Sequence, residues 1–298
     1  MTNLGANPTS YFSAPAPELD PTLFDGRNLK SWVRQGVMAI LGDFLNLHYR
    51  HSEVWAHPWL AGSAISYQWQ ASRKPGDLDC LIGINYVQFR KANPEFRGLT
   101  DREIAAQLNE EFRNELQGQT ENWNGFELTF YVNPGATDIR SIKPYAAFDL
   151  KYNEWTVVPD PNQQAPKNPE WERIASSDKE TSEQVTTRFN AAATDLRTSN
   201  SEAVRRNAEA RLTAAASQGN ALYNEIHTNR SIAFSPEGEG YKDFHNYRWQ
   251  AGKATGTIEQ LRSVRQYMKN TLKGQNPYGV DLPDTSTLIR RAALYRSK

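Results

Sequence analysis

The sequence has little or none of several features that mark common protein classes. It has one cysteine in 298 residues, Cys80, which excludes an internal disulfide framework and is typical of a reducing compartment. It contains no apolar run of membrane-spanning length. The N-terminus also lacks the basic start and apolar stretch of a secretory signal. We therefore expect a cytoplasmic protein without a membrane partner.

The chain also has no net charge, because 34 Lys and Arg balance 34 Asp and Glu. The balance hides an uneven distribution. Residues 205–298 contain 15 basic and 8 acidic residues, a net charge of +7, and the remaining 204 residues contain 19 and 26, a net charge of −7. This distribution fits ordinary surface variation, or a rear half that attracts a phosphorylated ligand through long-range electrostatics.

The length allows two compact domains or one large one. Residues 1–27 are rich in Pro and Asn without periodicity, and they predict a loosely attached arm. Residues 28–160 mix helix and strand patterns, residues 161–177 have linker composition, and residues 178–298 are mostly helical in pattern. The predicted fold class is α+β, a mixed-sheet domain followed by a mostly helical C-terminal domain.

The front domain shows a definite order of elements. Apolar residues at helical spacing in residues 28–47 predict a first helix. Thr100 followed by Glu103 is a capping-box pattern that predicts a second. The predicted strands are residues 54–62 (interrupted by Pro58), 77–84, 126–132 and 145–158, and the last two are expected to form a hairpin with an elaborated loop.

Two carboxylates stand one residue apart at the start of an apolar strand, in the sequence Asp77-Leu78-Asp79-Cys80. Alternate residues of a strand face the same way, so both carboxylates project from one side of the sheet. Their repulsion is relieved if a cation lies between them. Mg²⁺ is the natural occupant, because it binds one or two carboxylates together with substrate phosphates and waters.

A Gly-Ser pair, Gly62-Ser63, precedes the acidic strand by thirteen residues. The glycine permits a close turn, after which backbone amides and the Ser63 hydroxyl could bind a phosphate. A hydrophobic residue, Gly-Ser, a spacer and Asp-x-Asp on a strand resemble the DNA polymerase beta-type nucleotidyltransferase superfamily. The resemblance covers about residues 28–158, although the spacer lacks the Gly-rich character of many relatives. The family carries a third carboxylate between hydrophobic residues, for which Asp149 is preferred here and Glu127 is the alternative.

The resemblance implies two-metal phosphoryl transfer with Mg²⁺ or Mn²⁺, two ions being held by Asp77, Asp79 and Asp149. An acceptor hydroxyl would attack the α-phosphorus of an NTP, take the nucleoside monophosphate and release pyrophosphate. The acceptor is open. A small molecule or a protein is slightly favoured over an RNA end, because a net charge of +7 over 94 residues is modest for phosphate-driven binding. No DNA partner is expected. The alternative function is a non-catalytic nucleotide-binding or interaction module that retains the fold.

Several basic residues are candidate nucleotide ligands. Arg73 and Lys74 precede the acidic strand, where they either reach a phosphate or are simply solvated. In the rear domain, cations interleave with aromatic residues, a pattern that suits a nucleotide and also ordinary core packing. Those cations are Arg230, Lys242, Arg248 and Lys253. A helical stripe formed by Arg262, Arg265, Lys269 and Lys273 favours a solvated helix edge over a nucleic-acid surface. The spacing of His48, His51 and His57 is a weak pattern for a metal site.

Overall fold

The computed structural model describes residues 10–71, 75–134 and 137–274, with side chains described through residue 267. The described chain forms two compact units. The first contains residues 12–164, and the second contains residues 165 onward together with residues 10 and 11. The first unit has a mixed five-stranded sheet and the second is helical, which confirms the α+β prediction. Among the described helices, none combines the length and apolar character needed to cross a bilayer.

The strands are β1 (Phe24–Asp25), β2 (Asn28–Leu29), β3 (Ala56–Ala61), β4 (Gly76–Ile84), β5 (Phe126–Tyr131), β6 (Ala147–Asp149) and β7 (Glu154–Val157). The α-helices are α1 (Ser31–His48), α2 (Ser52–Trp55), α3 (Tyr86–Ala92), α4 (Asp101–Glu111), α5 (Gln117–Thr120), α6 (Pro169–Thr198), α7 (Glu202–Ala233), α8 (Phe244–Ala254) and α9 (Thr257–Gly274). A π-helical segment, Phe112–Leu116, connects α4 to α5. The capping box predicted at Thr100 and Glu103 is confirmed at the start of α4.

The order of strands in the large sheet is β5-β4-β3-β6-β7. Strand β4 pairs antiparallel with β3 and parallel with β5, and β6 pairs antiparallel with both β3 and β7. One face of β4 carries Leu78, Cys80 and Ile82, each at most 2% exposed, and packs into the core. The opposite face of β4 carries Asp77 and Asp79, both partly exposed. We call the side of the sheet that carries Asp77 and Asp79 the carboxylate face.

Strand β3 runs through Pro58 without interruption, contrary to the sequence-based prediction. The N–H and C=O groups of one residue in an antiparallel ladder point to the same neighbour. The carbonyl of Pro58 accepts a hydrogen bond from the amide of Leu150, so Pro58 faces the β6 side. An N–H at Pro58 would also point to this side, beyond the end of β6 at Asp149. Its absence therefore interrupts no hydrogen bond with β4.

The predicted hairpin between residues 126–132 and 145–158 does not form. Strand β5 lies at one edge of the sheet beside β4, whereas β6 lies beside β3. Residues 145–158 instead form their own hairpin, β6 and β7, around a tight turn in which Asn153 has a φ of 59°. The Asp149 carboxylate stabilises this turn by accepting hydrogen bonds from the amides of Lys151 and Tyr152.

Part of the segment predicted as an arm, residues 1–27, belongs to the core of the first unit. Leu19, Leu23 and Phe24 are at most 3% exposed and join the large apolar cluster. The ring of Phe24 stacks on Trp155 at 5.4 Å. Burial of these apolar side chains fixes residues 19–24, although the sequence there has no periodicity.

The helical unit starts inside the predicted linker 161–177, because α6 begins at Pro169 with Asn168 as its N-cap. Two long helices, α6 and α7, cover the polar stretch at residues 178–228. Their apolar clusters are small, and one of them consists of Val185, Ala216 and Val264. A Cβ atom at Gly219 would lie 2.9 Å from Cγ1 of Val264, so this glycine permits close packing of α7 against α9.

Candidate functional site on the carboxylate face

The Gly62–Ser63 turn lies directly against the carboxylate of Asp79. Ala61, the last residue of β3, is the register partner of Asp79. Gly62 then adopts a φ of 94°, and a Cβ atom at this position would lie 3.0 Å from Oδ2 of Asp79. A side chain here would meet both backbone strain and the carboxylate. Glycine is therefore required for the turn and the acidic strand to approach this closely.

The turn after Gly62 is held by its own hydrogen bonds. The amide of Ser66 donates to the carbonyl of Ser63 at 3.1 Å, and the Ser66 hydroxyl donates to the same oxygen at 2.9 Å. Ser66 is fully buried, and Ile65 beside it joins the apolar core. The backbone around Ser63 is therefore fixed at the edge of the carboxylate face, next to Asp79.

Asp77 and Asp79 lie on one face of β4, as the alternation of the strand predicts. Oδ1 of Asp79 accepts a hydrogen bond of 2.8 Å from the hydroxyl of Thr129 on β5. This bond and the neighbouring Gly62 orient the carboxylate. Cys80 points to the opposite side, where burial, and secondarily the charge of Asp79, raise the pKa of its thiol above the ordinary 9.0. A neutral buried thiol is unsuited to metal binding or nucleophilic attack.

The structure places the two candidates for the third carboxylate differently. Glu127 is the register partner of Asp77 on the parallel strand β5, so the two residues lie on the same face of strands that are about 4.8 Å apart. Asp149 also lies on this face, but its register partner is Trp59 of β3. It is therefore two strands away from Asp79, about 10 Å in the hydrogen-bonding direction. The register therefore places Glu127 beside Asp77 on the adjacent strand and places Asp149 two strands away from Asp79.

Asp149 is instead engaged with His57. Oδ2 of Asp149 lies 2.6 Å from Nε2 of His57, while Oδ1 accepts the two amide hydrogen bonds of the β6–β7 turn at 2.8 and 2.9 Å. The Asp149 residue is 4% exposed. Three of its roughly four lone-pair positions are thus occupied within the protein. Sequence reasoning missed this pair, because His57 and Asp149 are 92 residues apart.

A pocket of about 600 Å³ opens beside the His57–Asp149 pair. The His57 ring stacks on Trp59 with centroids 4.0 Å apart, and Tyr152 meets it edge-on at 5.4 Å. Asp138 and Arg140 also line the pocket. The hydrogen bond from Arg140 is the main cause that lowers the pKa of Asp138, and the nearby His57 lowers it further. The volume is in the range of pockets that hold small molecules.

The donor atoms fit a hard divalent cation that is completed by substrate. Within the described part of the chain, no group of three or more His, Cys, Asp or Glu side chains is already arranged to hold a metal. Mg²⁺ does not need such a cage, since it is commonly bound by one or two carboxylates together with phosphate oxygens and waters. The Asp77–Asp79 pair, with Asp79 seated against Gly62, is a carboxylate set of this kind.

The basic residues predicted to bind nucleotide have different environments. Arg73 and Lys74 lie outside the described residues. Arg248 of α8 is buried, and its guanidinium donates to both carboxylate oxygens of Asp178 at 2.6 and 2.8 Å and to Glu225 at 2.6 Å. These carboxylates raise its pKa, chiefly through the Asp178 hydrogen bonds. Arg248 is therefore committed to holding helices together.

The other rear-domain cations are more accessible. Arg230, near the C-terminal end of α7, lies over the rings of Phe234 and Trp249 at 5.5 and 5.4 Å. Lys242 is exposed and Lys253 is partly buried. The interleaved aromatic residues have mixed roles, since Trp249 belongs to an apolar cluster with Tyr223 and Ile258. The pattern seen in the sequence is therefore partly core packing and partly surface charge.

Comparison of the chain with protein-family models, with curated proteins and with solved structures gave no match. The geometry of the carboxylate face is therefore the basis for assigning a function.

Proposed function

We propose that this protein is a metal-dependent nucleotidyltransferase that transfers a nucleoside monophosphate from an NTP to an acceptor hydroxyl and releases pyrophosphate. The observation that carries the proposal is the seating of Gly62, at a positive φ, against the carboxylate of Asp79. This contact joins the turn whose amides and Ser63 hydroxyl would bind phosphate to the acidic strand β4. Neither part alone would indicate phosphoryl transfer, because Gly-Ser and Asp-x-Asp are both common sequences.

Each residue has a role in this proposal. Asp77 and Asp79 would hold the cation, and Glu127 would be the third carboxylate in place of Asp149. A bound Mg²⁺ or Mn²⁺ supplies charge neutralisation of the triphosphate and acidifies the acceptor hydroxyl. The amides and hydroxyl at Ser63 would hydrogen-bond the phosphates and fix the α-phosphorus for in-line attack. Thr129 keeps the Asp79 carboxylate oriented through the 2.8 Å hydrogen bond.

The pocket beside His57 lies on the carboxylate face, and its volume of about 600 Å³ suits a small molecule or a protruding side chain. His57 pairs with Gly83, four residues along β4 from Asp79, which is about 13 Å at the rise of a strand. We therefore assign the pocket to the distal part of an acceptor whose hydroxyl would reach the carboxylates of β4. Carboxylates and cations both line the pocket, and Asp138 is paired with Arg140 while Asp149 is paired with His57. Its charge therefore does not select for or against a phosphorylated acceptor. A small-molecule or protein hydroxyl remains the proposed acceptor, because the size of the pocket suits it.

The test is transfer of label from each α-phosphate-labelled NTP, with Mg²⁺ or Mn²⁺, to total RNA, small-molecule extract or protein extract. We expect one nucleotide to label one acceptor class, and Asp77→Asn/Asp79→Asn to abolish the labelling. The matched control is Asp25→Asn/Glu202→Gln, which changes the charge equally at positions 80% and 84% exposed. Manganese binding by electron paramagnetic resonance gives a readout independent of activity.

The third carboxylate is tested by two further variants. Glu127→Gln should lower the transfer rate about a hundredfold or more, as loss of a positioned charged group does. Asp149→Asn should affect acceptor use rather than manganese binding. If Asp149→Asn weakened manganese binding and Glu127→Gln did not, Asp149 and not Glu127 would be the third metal ligand. Absence of both labelling and manganese binding in the wild-type protein would favour the non-catalytic nucleotide-binding module instead.

A further inference from the structure

Three arginines of the helical unit converge on two aromatic rings. Arg230 of α7 and Arg262 of α9 both lie over Trp249, at 5.4 and 5.9 Å from its ring centroid. Because these two distances add to 11.3 Å, the two guanidinium carbons are no further apart than that. Arg265, one helical turn beyond Arg262, lies over Tyr223 at 4.6 Å. We call Arg230, Arg262 and Arg265 the arginine patch.

The aromatic rings under the patch are themselves in contact. The ring centroids of Tyr223 and Trp249 are 6.4 Å apart, and both side chains are at most 5% exposed. The arginines thus lie on a rigid, buried platform, which reduces the entropy lost when they bind a ligand. A guanidinium stacked on a ring still offers its N–H edges to phosphate and its other face to a nucleobase.

His227 lies beside the arginine patch. The residue is exposed overall, but its ring stacks on Tyr223 at 5.3 Å. Partial desolvation of the ring contributes most to lowering its pKa, and the charges of Arg265, Arg230 and Arg262 lower it further. Among the described residues, Glu259 pairs with Arg262 at 3.3 Å, with side chains 30% and 50% exposed. One carboxylate beside three guanidinium groups leaves the patch with a net positive charge.

We propose that the arginine patch binds single-stranded nucleic acid, with the three guanidinium groups contacting backbone phosphates. The averaged charge of +7 over 94 residues hid this local density of cations on two helices. A positively charged surface that follows the backbone is a usual means of holding single strands without sequence preference. Here the buried rings of Tyr223 and Trp249 position the arginines and do not themselves stack on bases. The proposal does not depend on nucleotidyl transfer, and it does not require that the bound strand be the acceptor.

The test measures binding of the full chain to a fluorescein-labelled, unstructured 20-nucleotide RNA by anisotropy at several salt concentrations. The patch variant is Arg230→Gln/Arg262→Gln/Arg265→Gln. Each phosphate contact to a single strand adds about 0.7 to the slope of log K against log salt. We therefore expect the slope to fall by about 2 in the patch variant. Patch variant and wild type should bind alike near 1 M salt, where the electrostatic contribution vanishes. At 0.1 M salt, one decade lower, a slope difference of about 2 corresponds to an affinity that is about a hundredfold lower in the patch variant.

The matched control is Arg197→Gln/Arg205→Gln/Arg206→Gln, which removes the same charge from exposed positions on α6 and α7. It should bind RNA as the wild type does. A second variant with lysine at the three patch positions keeps the charge and should retain most of the salt slope. Equal weakening of patch and control variants would overturn the proposal. Displacement of the RNA by inorganic triphosphate at equal phosphate concentration would also overturn it in favour of a compact phosphate ligand.

Discussion

Gly62 shows how much one residue without a side chain contributes to this protein. Its φ of 94° is costly for any residue with a Cβ atom, and the space beside it is taken by Oδ2 of Asp79 at 3.0 Å. The two constraints act in the same direction, because both exclude a side chain. The absence of a side chain at Gly62 therefore allows the turn to lie this close to the Asp79 carboxylate.

We expect Gly62→Ala to lower the free energy of unfolding by about 2 kcal/mol, because alanine is strained at positive φ. It should also weaken manganese binding by displacing the Asp79 carboxylate. Gly42→Ala in α1 is the control, since a Cβ atom there meets nothing within 4 Å, and alanine in a helix should stabilise by about 0.5–1 kcal/mol. Urea unfolding of both variants measures the difference. Equal stabilities for the two variants would contradict the assigned turn geometry.

At the scale of elements, helix α8 is fixed by charge as well as by apolar packing. The side chains of Arg248 and Asp178 are 9% and 11% exposed, and their bidentate pair joins α8 to α6. Glu225 of α7 completes the group, but its side chain is 56% exposed. A buried charge that loses its partner is left unsatisfied, whereas an exposed partner is replaced by water.

We therefore expect Asp178→Asn to destabilise the helical unit by about 3 kcal/mol, because Arg248 would lose its buried counter-charge. Glu225→Gln, which removes the same charge at the exposed position, should cost less than about 1 kcal/mol. Circular dichroism during urea unfolding compares the two variants. If Glu225→Gln were the more destabilising change, the central role of the Asp178–Arg248 pair would be refuted.

The β6–β7 hairpin shows a second element-scale effect. Its turn is held by the Asp149 carboxylate, and the guanidinium of Arg34 donates to the carbonyl of Leu150 at 2.8 Å. The hairpin places Asp149 beside His57 rather than beside the carboxylates of β4. Strand pairing thus places Asp149 beside His57 and leaves Asp77 and Asp79 on β4, although all three aspartates lie on the same face of the sheet.

At the scale of the whole molecule, we expect the distribution of charge to govern solubility. The sequence isoelectric point is about 7.0, residues 1–204 carry a net charge of −7 and residues 205–298 carry +7. Near neutral pH we therefore expect little net repulsion between molecules, and attraction between the acidic part of one molecule and the basic part of another.

We expect the protein to be least soluble near pH 7 at low salt and to dissolve further when salt is added, because screening weakens this attraction. Polyethylene glycol precipitation at 20 and 300 mM NaCl, at pH 7 and pH 5, measures the effect. Salt should raise solubility clearly at pH 7 and little at pH 5, where the net positive charge below the isoelectric point of about 7.0 already keeps molecules apart. A salt response independent of pH would show that another interaction limits solubility.

Local features of the fold could be predicted from the sequence because each depends on near neighbours along the chain. The alternation of β4 placed Asp77 and Asp79 on one face, and the Thr100–Glu103 box marked the start of α4. The Gly62 turn before an acidic strand was likewise evident from local sequence. Backbone sterics and short-range hydrogen bonds determine these features, so no knowledge of distant contacts is needed.

The tertiary structure alone decided which strands are neighbours and which charges meet. It placed Glu127 opposite Asp77, gave Asp149 to His57, and committed Arg248 to Asp178. These pairings join residues between 50 and 92 positions apart, and they follow from how apolar faces pack to leave water. Local sequence patterns do not encode that choice. The sequence therefore determined the chemical groups and their local geometry, and packing determined the sites that they form.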